Sequence, residues 1–225
     1  MKNWLFLNSA VGLEVALCVD NKFYYETCDV LKNTMSLLLP SVDKVLSLAD
    51  ISISDLDGLG VCVGPGSFTG LRVSIGTIKA FAQVHNLPIA TVTSTRLNAY
   101  NVGIDTSTIT TSASSNATSA TSEKDITIAS IVDGGNIACF VSVYKGEETI
   151  LEPICIAKTE LNQWLQSTAY DTIVSDFEFE NILATNLNSQ RIIQALENCK
   201  ALEVYNSLQP LYIRKPQVLR KDGDV

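Results

Sequence analysis

Apolar and polar positions follow one another in a legible order. Trp4–Asn8 (WLFLN) and Leu13–Val19 (LEVALCV) are short apolar runs and predict strands. Asp20, Asn21 and Lys22 then turn the chain into KFYYET, a third strand. Aspartate and asparagine tolerate the positive φ that tight hairpins need, so an antiparallel meander is expected. After it the period changes. Leu31, Met35, Leu38, Leu39, Val42, Val45, Leu46 and Ala49 recur at helical spacing. Pro40 lies inside that pattern; an interior proline removes a donor and costs about 3 kcal/mol, so the helix restarts there or bends. DLDGLGVCVG predicts a strand buried on both faces. A glycine-rich turn, a long helix over 69–86, a strand at LPIATVT and a helix beginning STRLNAYN follow.

The second half restarts after a break. Residues 104–125 are almost entirely Ser, Thr, Ala and Asn, without periodicity, and predict a low-complexity flexible segment. DITIASIVD and IACFVSVYK then form a hairpin around Gly134, Gly135 and Asn136. A strand is expected near 149–155, helices over 159–168 and 189–198, and a short strand at DTIVS between them. The tail QPLYIRKPQVL holds two prolines and reads as extended. The domain expectation is a first lobe at 1–103, the low-complexity segment at 104–125 and a smaller second lobe at 126–225.

Composition narrows the function classes. With 225 residues, 46% of them hydrophobic, the chain can bury a sizeable core. Its net charge is −8. Residues 1–103 hold 7 Lys+Arg and 8 Asp+Glu; residues 104–225 hold 9 and 16. Such an acidic chain repels a phosphate backbone, which argues against strong nucleic-acid binding by this chain alone. Arg214, Lys215, Arg220 and Lys221 are a local exception and read as a solvated end. The six cysteines are scattered through apolar runs without a C-x-x-C pair, as free thiols of a reducing compartment are. Asn8, Ser9 and Glu14 interrupt the first apolar run, and no run approaches the ~18 apolar residues of a membrane span. A cytoplasmic, non-membrane protein is expected.

The candidate chemistry centres on Gly64-Pro65-Gly66-Ser67-Phe68-Thr69-Gly70. A Walker loop needs four residues between its glycines and then lysine; here three separate Gly66 from Gly70, and Leu71 follows. The dinucleotide fingerprint fails because Thr69 replaces its third glycine. A helix N-terminus still offers free N–H groups, and Ser67 or Thr69 would cap it. Gly64, Gly66, Ser67, Thr69, Gly70 and Arg72 are therefore a candidate anion- or nucleotide-binding turn; a purely structural turn is the other reading. The helix beyond it carries two apolar stripes, one of Leu71, Ile75, Ile78 and Ala82, the other of Val73, Thr77, Phe81 and Val84. Gly76 and Ala80 lie between them. Either the domain buries this helix itself, or one face meets a partner. His85 is the sole histidine, which disfavours a Ser/His triad or a paired-histidine metal site. Asp133 reads as a turn former, and Asp176, Glu178 and Glu180 as a solvated acidic loop.

The order β-β-β-α-β-α-β-α over 1–103 resembles one lobe of the actin-like, sugar-kinase-like superfamily. GVCVGPGSFTGLRVSIGTIKAFA resembles, specifically, the signature of the TsaB (YeaZ) family of bacterial tRNA threonylcarbamoyladenosine biosynthesis proteins. LLLPSVDKVLSLADISISDLDGLGV, IVDGGNIACFVSVYK and QPLYIRKPQ are similar to further parts of that family. The resemblance implies an α/β actin-like (ASKHA) fold of two lobes, with mixed sheets flanked by helices. It implies a subunit without useful catalysis of its own. Its implied partners are a TsaD-like transferase, which carries the metal, and a TsaE-like ATPase, with tRNA reached only through the complex. The heterodimer would form through the first two helices, here through Met35, Leu38, Leu39, Leu71, Ile75, Ile78 and Ala82, and a homodimer would use the same surface when the partner is absent. No metal site and no firm cofactor are implied, with ATP or ADP conceivable at the complex interface. Two departures stand out: Asn8-Ser9-Ala10 replaces the usual Asp-Thr-Ser, and Asn33-Thr34 the frequent His-Ser. The alternative is a nucleotide-dependent transferase or ATPase using the turn at 64–70. A glycoprotease reading would need metal ligands that the sequence lacks.

Overall fold

The computed structural model describes residues 3–28, 34–101, 126–179, 190–198, 201–202 and 205–213. Leu31, Asn33, the segment 104–125, Glu180, Cys199 and the basic tail lie outside these residues.

The meander forms as expected: β1 (Trp4–Asn8), β2 (Leu13–Val19) and β3 (Lys22–Cys28) pair antiparallel in sequence. Asp20 and Asn21 both have positive φ, 46° and 66°, the mirror-image turn that suits strand twist. Helix α1 (Thr34–Ala49) is continuous through Pro40, which sits on its exposed side. It ends in a Schellman-type cap: Asp50 takes φ 55°, Ile51 N–H donates to Leu46 O, and Asp50 N–H to Ser47 O. Strand β4 (Gly58–Cys62) is buried along its whole length. Helix α2 (Phe68–His85) is capped by Ser67 and closed by left-handed Asn86. Strand β5 (Ile89–Val92) and helix α3 (Ser94–Ala99) complete the first half.

The second half contains β6 (Thr127–Asp133), β7 (Ala138–Lys145), β8 (Glu148–Ala157), α4 (Leu161–Ser167) and β9 (Thr172–Ser175). Helix α5 (Gln190–Asn198) and the two-residue β10 (Ala201–Leu202) follow. Two mixed sheets result, in the orders β10-β5-β4-β1-β2-β3 and β8-β7-β6-β9. In the first, β1, β4 and β5 run parallel; in the second, β6 and β9 do.

The expected second lobe of 126–225 needs correcting. β10 pairs with β5 at the edge of the first sheet, and Ile192, Ala195, Leu196 and Leu208 enter the first core. Residues 126–179 form the second core, around Ile131, Val141, Leu161 and Leu165. The C-terminal segment returns because β5 offers an open edge and the first sheet an uncovered apolar face. That face is set by register. Phe6 and Gly60 are paired, and a Cβ at Gly60 would meet Leu196 and Phe6, so the even residues of β1 face α5. The odd residues Leu5 and Leu7 then face the side where α1 and α2 pack together.

Candidate functional site

The glycine turn is filled by its own chain. A Cβ at Gly70 would lie 2.1 Å from Ser9 O, and one at Gly66 would lie 2.4 Å from Ala10 O. Ser67 N–H donates to Ala10 O at 2.6 Å. Ser9 Oγ–H donates to Gly70 O at 2.7 Å, beside Ser74 Oγ at 2.8 Å. The connection between β1 and β2 is thus seated against the start of α2, and only glycine lets the backbones come so close. Gly64 has φ +99° and precedes a cis proline. Ser67 Oγ accepts from Gly70 N–H as the N-cap. Thr69 is exposed. The Arg72 guanidinium lies 3.8 Å from the Phe68 ring centroid, and its Nε–H donates to Tyr212 Oη at 3.0 Å. Gly66 and Gly70 thus have a structural role, packing against Ala10 and Ser9, beside the anion-binding expectation for this turn.

The partner surface also needs correction. Leu71, Ile75, Ile78 and Ala82 are buried in the first core, as is Leu38 of α1. Both stripes of α2 satisfy helical periodicity, but only one can face the sheet, and it is this one. Of the expected residues, Met35 (70% exposed) and Leu39 (53%) do face outward. They are joined by Leu48 (60%) of α1 and Val84 (76%) of α2. On α2 the outward positions include Thr69, Gly76 and Ala80, and nothing lies within 4 Å of a Cβ built at Gly76. The outer side of the α1–α2 pair therefore mixes exposed apolar side chains with polar ones, and at Gly76 and Ala80 it has small residues that permit close helix approach.

The opposite face of the first sheet carries a buried polar cluster that the residue pattern had not revealed. Asn8 Nδ2–H donates to Glu14 Oε2 at 2.5 Å, and Tyr25 Oη–H to Glu14 Oε1 at 2.5 Å. Arg191 Nη2–H of α5 donates to the same Glu14 oxygen. Among the described residues Arg191 Nε has no hydrogen-bond partner. Burial, then the Glu14 carboxylate, pushes the Tyr25 hydroxyl far above its usual range. Glu14, a lone charge inside an apolar strand, was the available signal. Asn8 serves here as an amide donor, a role the usual aspartate could not fill when ionised.

In the second half, Asp133 and Asp176 end the parallel strands β6 and β9. Asp176 Oδ1 accepts from Asp133 N–H at 2.8 Å, and Lys158 Nζ lies 2.7 Å from Asp133 Oδ1. Burial, with the Asp133 charge adding, raises the Asp176 carboxyl to about 7. Burial pushes the Cys139 thiol up to about 12. The expected solvated acidic loop holds for Glu178, which is exposed, but Asp176 is half-buried and bonded to β6. Among the described residues no group of three or more His, Cys, Asp or Glu could hold a metal ion. Among them, too, no helix is long and apolar enough to cross a membrane.

A family model described as TsaD, tRNA N6-adenosine threonylcarbamoyltransferase, matches residues 29–155, more than half the chain. Proteins named tRNA threonylcarbamoyladenosine biosynthesis protein TsaB match shorter stretches. The one from Buchnera aphidicola (subsp. Schizaphis graminum) is 40% identical over 52 residues, 23% of this chain and 25% of the relative. The one from Bacillus subtilis is 32% identical over 90 residues, 40% of this chain and 39% of the relative. The chain belongs to the family that this model describes. Its matches span only 25% to 39% of the length of those two relatives. A crystal structure of an uncharacterized protein with similarity to peptidase YEAZ, from Pseudomonas aeruginosa, superposes with a TM-score of 0.68 at 16% identity, covering 95% of this chain and 100% of that one. YeaZ from the same organism gives 0.65 at 16% identity, covering 94% and 100%. The likeness establishes the fold, an α/β arrangement of two mixed sheets flanked by helices. The family's glycine signature thus falls on the contact between α2 and the β1–β2 connection.

Proposed function

We propose that this chain is a non-catalytic scaffold subunit of tRNA threonylcarbamoyladenosine synthesis, seating a TsaD-like transferase on the outer face of α1 and α2. One observation carries the reading: Met35, Leu39 and Val84 are large, apolar and exposed on two helices that pack together, and Gly76 is open on the second of them. Large apolar anchors dominate the energetics of protein interfaces, and small helix residues admit a close partner. The relatives' names supply the pathway. In this reading a TsaE-like ATPase joins the pair, tRNA is met by the assembled complex, and the same face forms a homodimer when the transferase is absent. The alternative is a nucleotide-dependent transferase or ATPase built on the turn at 64–70; the packing of Ser9 and Ala10 against Gly70 and Gly66 favours a structural role for those glycines instead.

An affinity pull-down with the host's transferase tests the proposal, followed by a tRNA modification assay with and without this chain. Met35→Glu and Leu39→Glu are each expected to weaken the complex at least tenfold, since removing a central anchor costs about 2 kcal/mol. Thermal unfolding of the isolated chain should not change, because both side chains already face water. A complex that survives both changes and Val84→Glu sinks the proposed seat.

A further inference from the structure

Two halves joined across a polar interface move relative to each other by default. In this chain that interface converges on one short helix. α3 makes a hydrogen bond at nearly every residue. Ser94 N–H donates to Gly64 O and Ser94 Oγ–H to Pro65 O, tying α3 to the first sheet's glycine turn. The next residues reach the other way. Thr95 Oγ1 lies 2.8 Å from Tyr144 Oη, Thr95 O accepts from Ser130 Oγ–H at 2.7 Å, and Asn98 Nδ2–H donates to Ile131 O at 3.0 Å. These are groups of β6 and β7, and Ser130, Tyr144 and Asn98 are buried.

The strongest grip is on the β7–β8 turn. Arg96 Nη1–H donates to Gly146 O at 2.7 Å, and Nη2–H to Glu147 O at 2.8 Å and Thr149 Oγ1 at 3.3 Å. Its guanidinium lies 3.9 Å from the Tyr144 ring centroid, so the cation is held from its face as well as its edge. The Glu147 carboxylate is taken by two groups of the first half: Tyr100 Oη–H at 2.9 Å and Asn198 Nδ2–H at 3.2 Å. Charge-assisted bonds are about twice as strong as neutral ones, and a planar fork reaches several acceptors that a point charge cannot.

We infer that an Arg96-centred clamp on the β7–β8 turn locks the two halves into one rigid body, so that this chain does not open and close between its sheets. The second half is then a brace for the first rather than a moving jaw. This inference stands independently of the proposed partner.

Nitroxide labels on genetically encoded keto residues at positions 43 and 152, both exposed, report the distance between the halves of the full chain by double electron–electron resonance. One narrow distance distribution is expected, unchanged by saturating Mg-ATP. Its width should at least double in Arg96→Ala and also grow in Arg96→Lys. If Arg96→Ala does not fold, Glu147→Ala, at an exposed site, takes its place, and amide exchange over 146–149 should quicken at least fivefold. A bimodal or nucleotide-shifted distribution in the unsubstituted chain overturns the inference. So does an unchanged distribution in folded Arg96→Ala, or unchanged exchange in Glu147→Ala.

Discussion

Gly70→Ala and Gly76→Ala place the same methyl group on the same helix, with opposite expected results. Alanine is better than glycine in a helix interior by about 1 kcal/mol, so propensity alone stabilises both. At Gly76 nothing opposes this, because no atom lies within 4 Å of the new Cβ. Gly76→Ala should therefore gain about 0.5–1 kcal/mol. At Gly70 the new Cβ would lie 2.1 Å from Ser9 O, a backbone atom that cannot rotate away. Overpacking costs about 1–3 kcal/mol. Moving Ser9 also threatens its bonds to Gly70 O and Ser74 Oγ, each worth about 1 kcal/mol. The net loss is about 2–3 kcal/mol after the propensity gain. Urea unfolding followed by far-ultraviolet circular dichroism measures both; with m near 2–3 kcal/mol/M, Gly70→Ala should lower the midpoint by about 1 M. A Gly70→Ala protein as stable as its parent would refute the close seating of the β1–β2 connection on α2. A destabilised Gly76→Ala would refute the open outer face. The second variant also bears on docking, since a methyl there should weaken a close-packed partner while stabilising the free chain.

Two further predictions concern the buried polar groups. Arg191→Met strands the Glu14 carboxylate in the core and should cost about 3–5 kcal/mol in chemical unfolding, whereas Glu14→Leu combined with Arg191→Met should recover most of that; a double variant no better than the single would mean the pair is not buried. Asp176 is raised from 3.8 to about 7, so the stability it contributes is complete below its ordinary value and lost as pH rises through 7. The slope approaches about 1.4 kcal/mol per pH unit between roughly pH 4 and 7. Asp176→Asn should remove it, so the stability of the variant relative to the parent should climb from about pH 4 to 7 and then level off; a flat difference would contradict the raised Asp176 carboxyl.

Most elements were legible because each carries its own local signal. Asp20 and Asn21 announce the hairpin, Ser67 the cap of α2, and WLFLN and GLGVC the buried parallel strands. Pro40 announced a restart or a bend, and the helix runs through it without restarting, with the proline on its exposed side. The site was less legible for a definable reason. Periodicity says that a stripe is apolar, not what covers it. Ile75 and Val84 are equivalent on that criterion, yet one lies in the core and the other is three-quarters exposed. The Glu14–Arg191 pair spans 177 positions, and nothing local connects its ends. The glycines of the turn showed that something comes close; that it is the chain's own Ser9 and Ala10 could only come from tertiary structure.

The return of α5 and β10 to the first sheet has a consequence for how the protein is made. β5 is synthesised more than a hundred residues before the strand that covers its edge. Through that interval the nascent first lobe carries an open strand edge and an apolar sheet face awaiting Ile192, Ala195 and Leu196. Vectorial folding, in which an N-terminal domain completes itself while the rest emerges, is therefore closed to this chain. The second lobe, whose core among the described residues draws on positions between 129 and 179, can finish first. The half that carries the helix pair is the last to become whole.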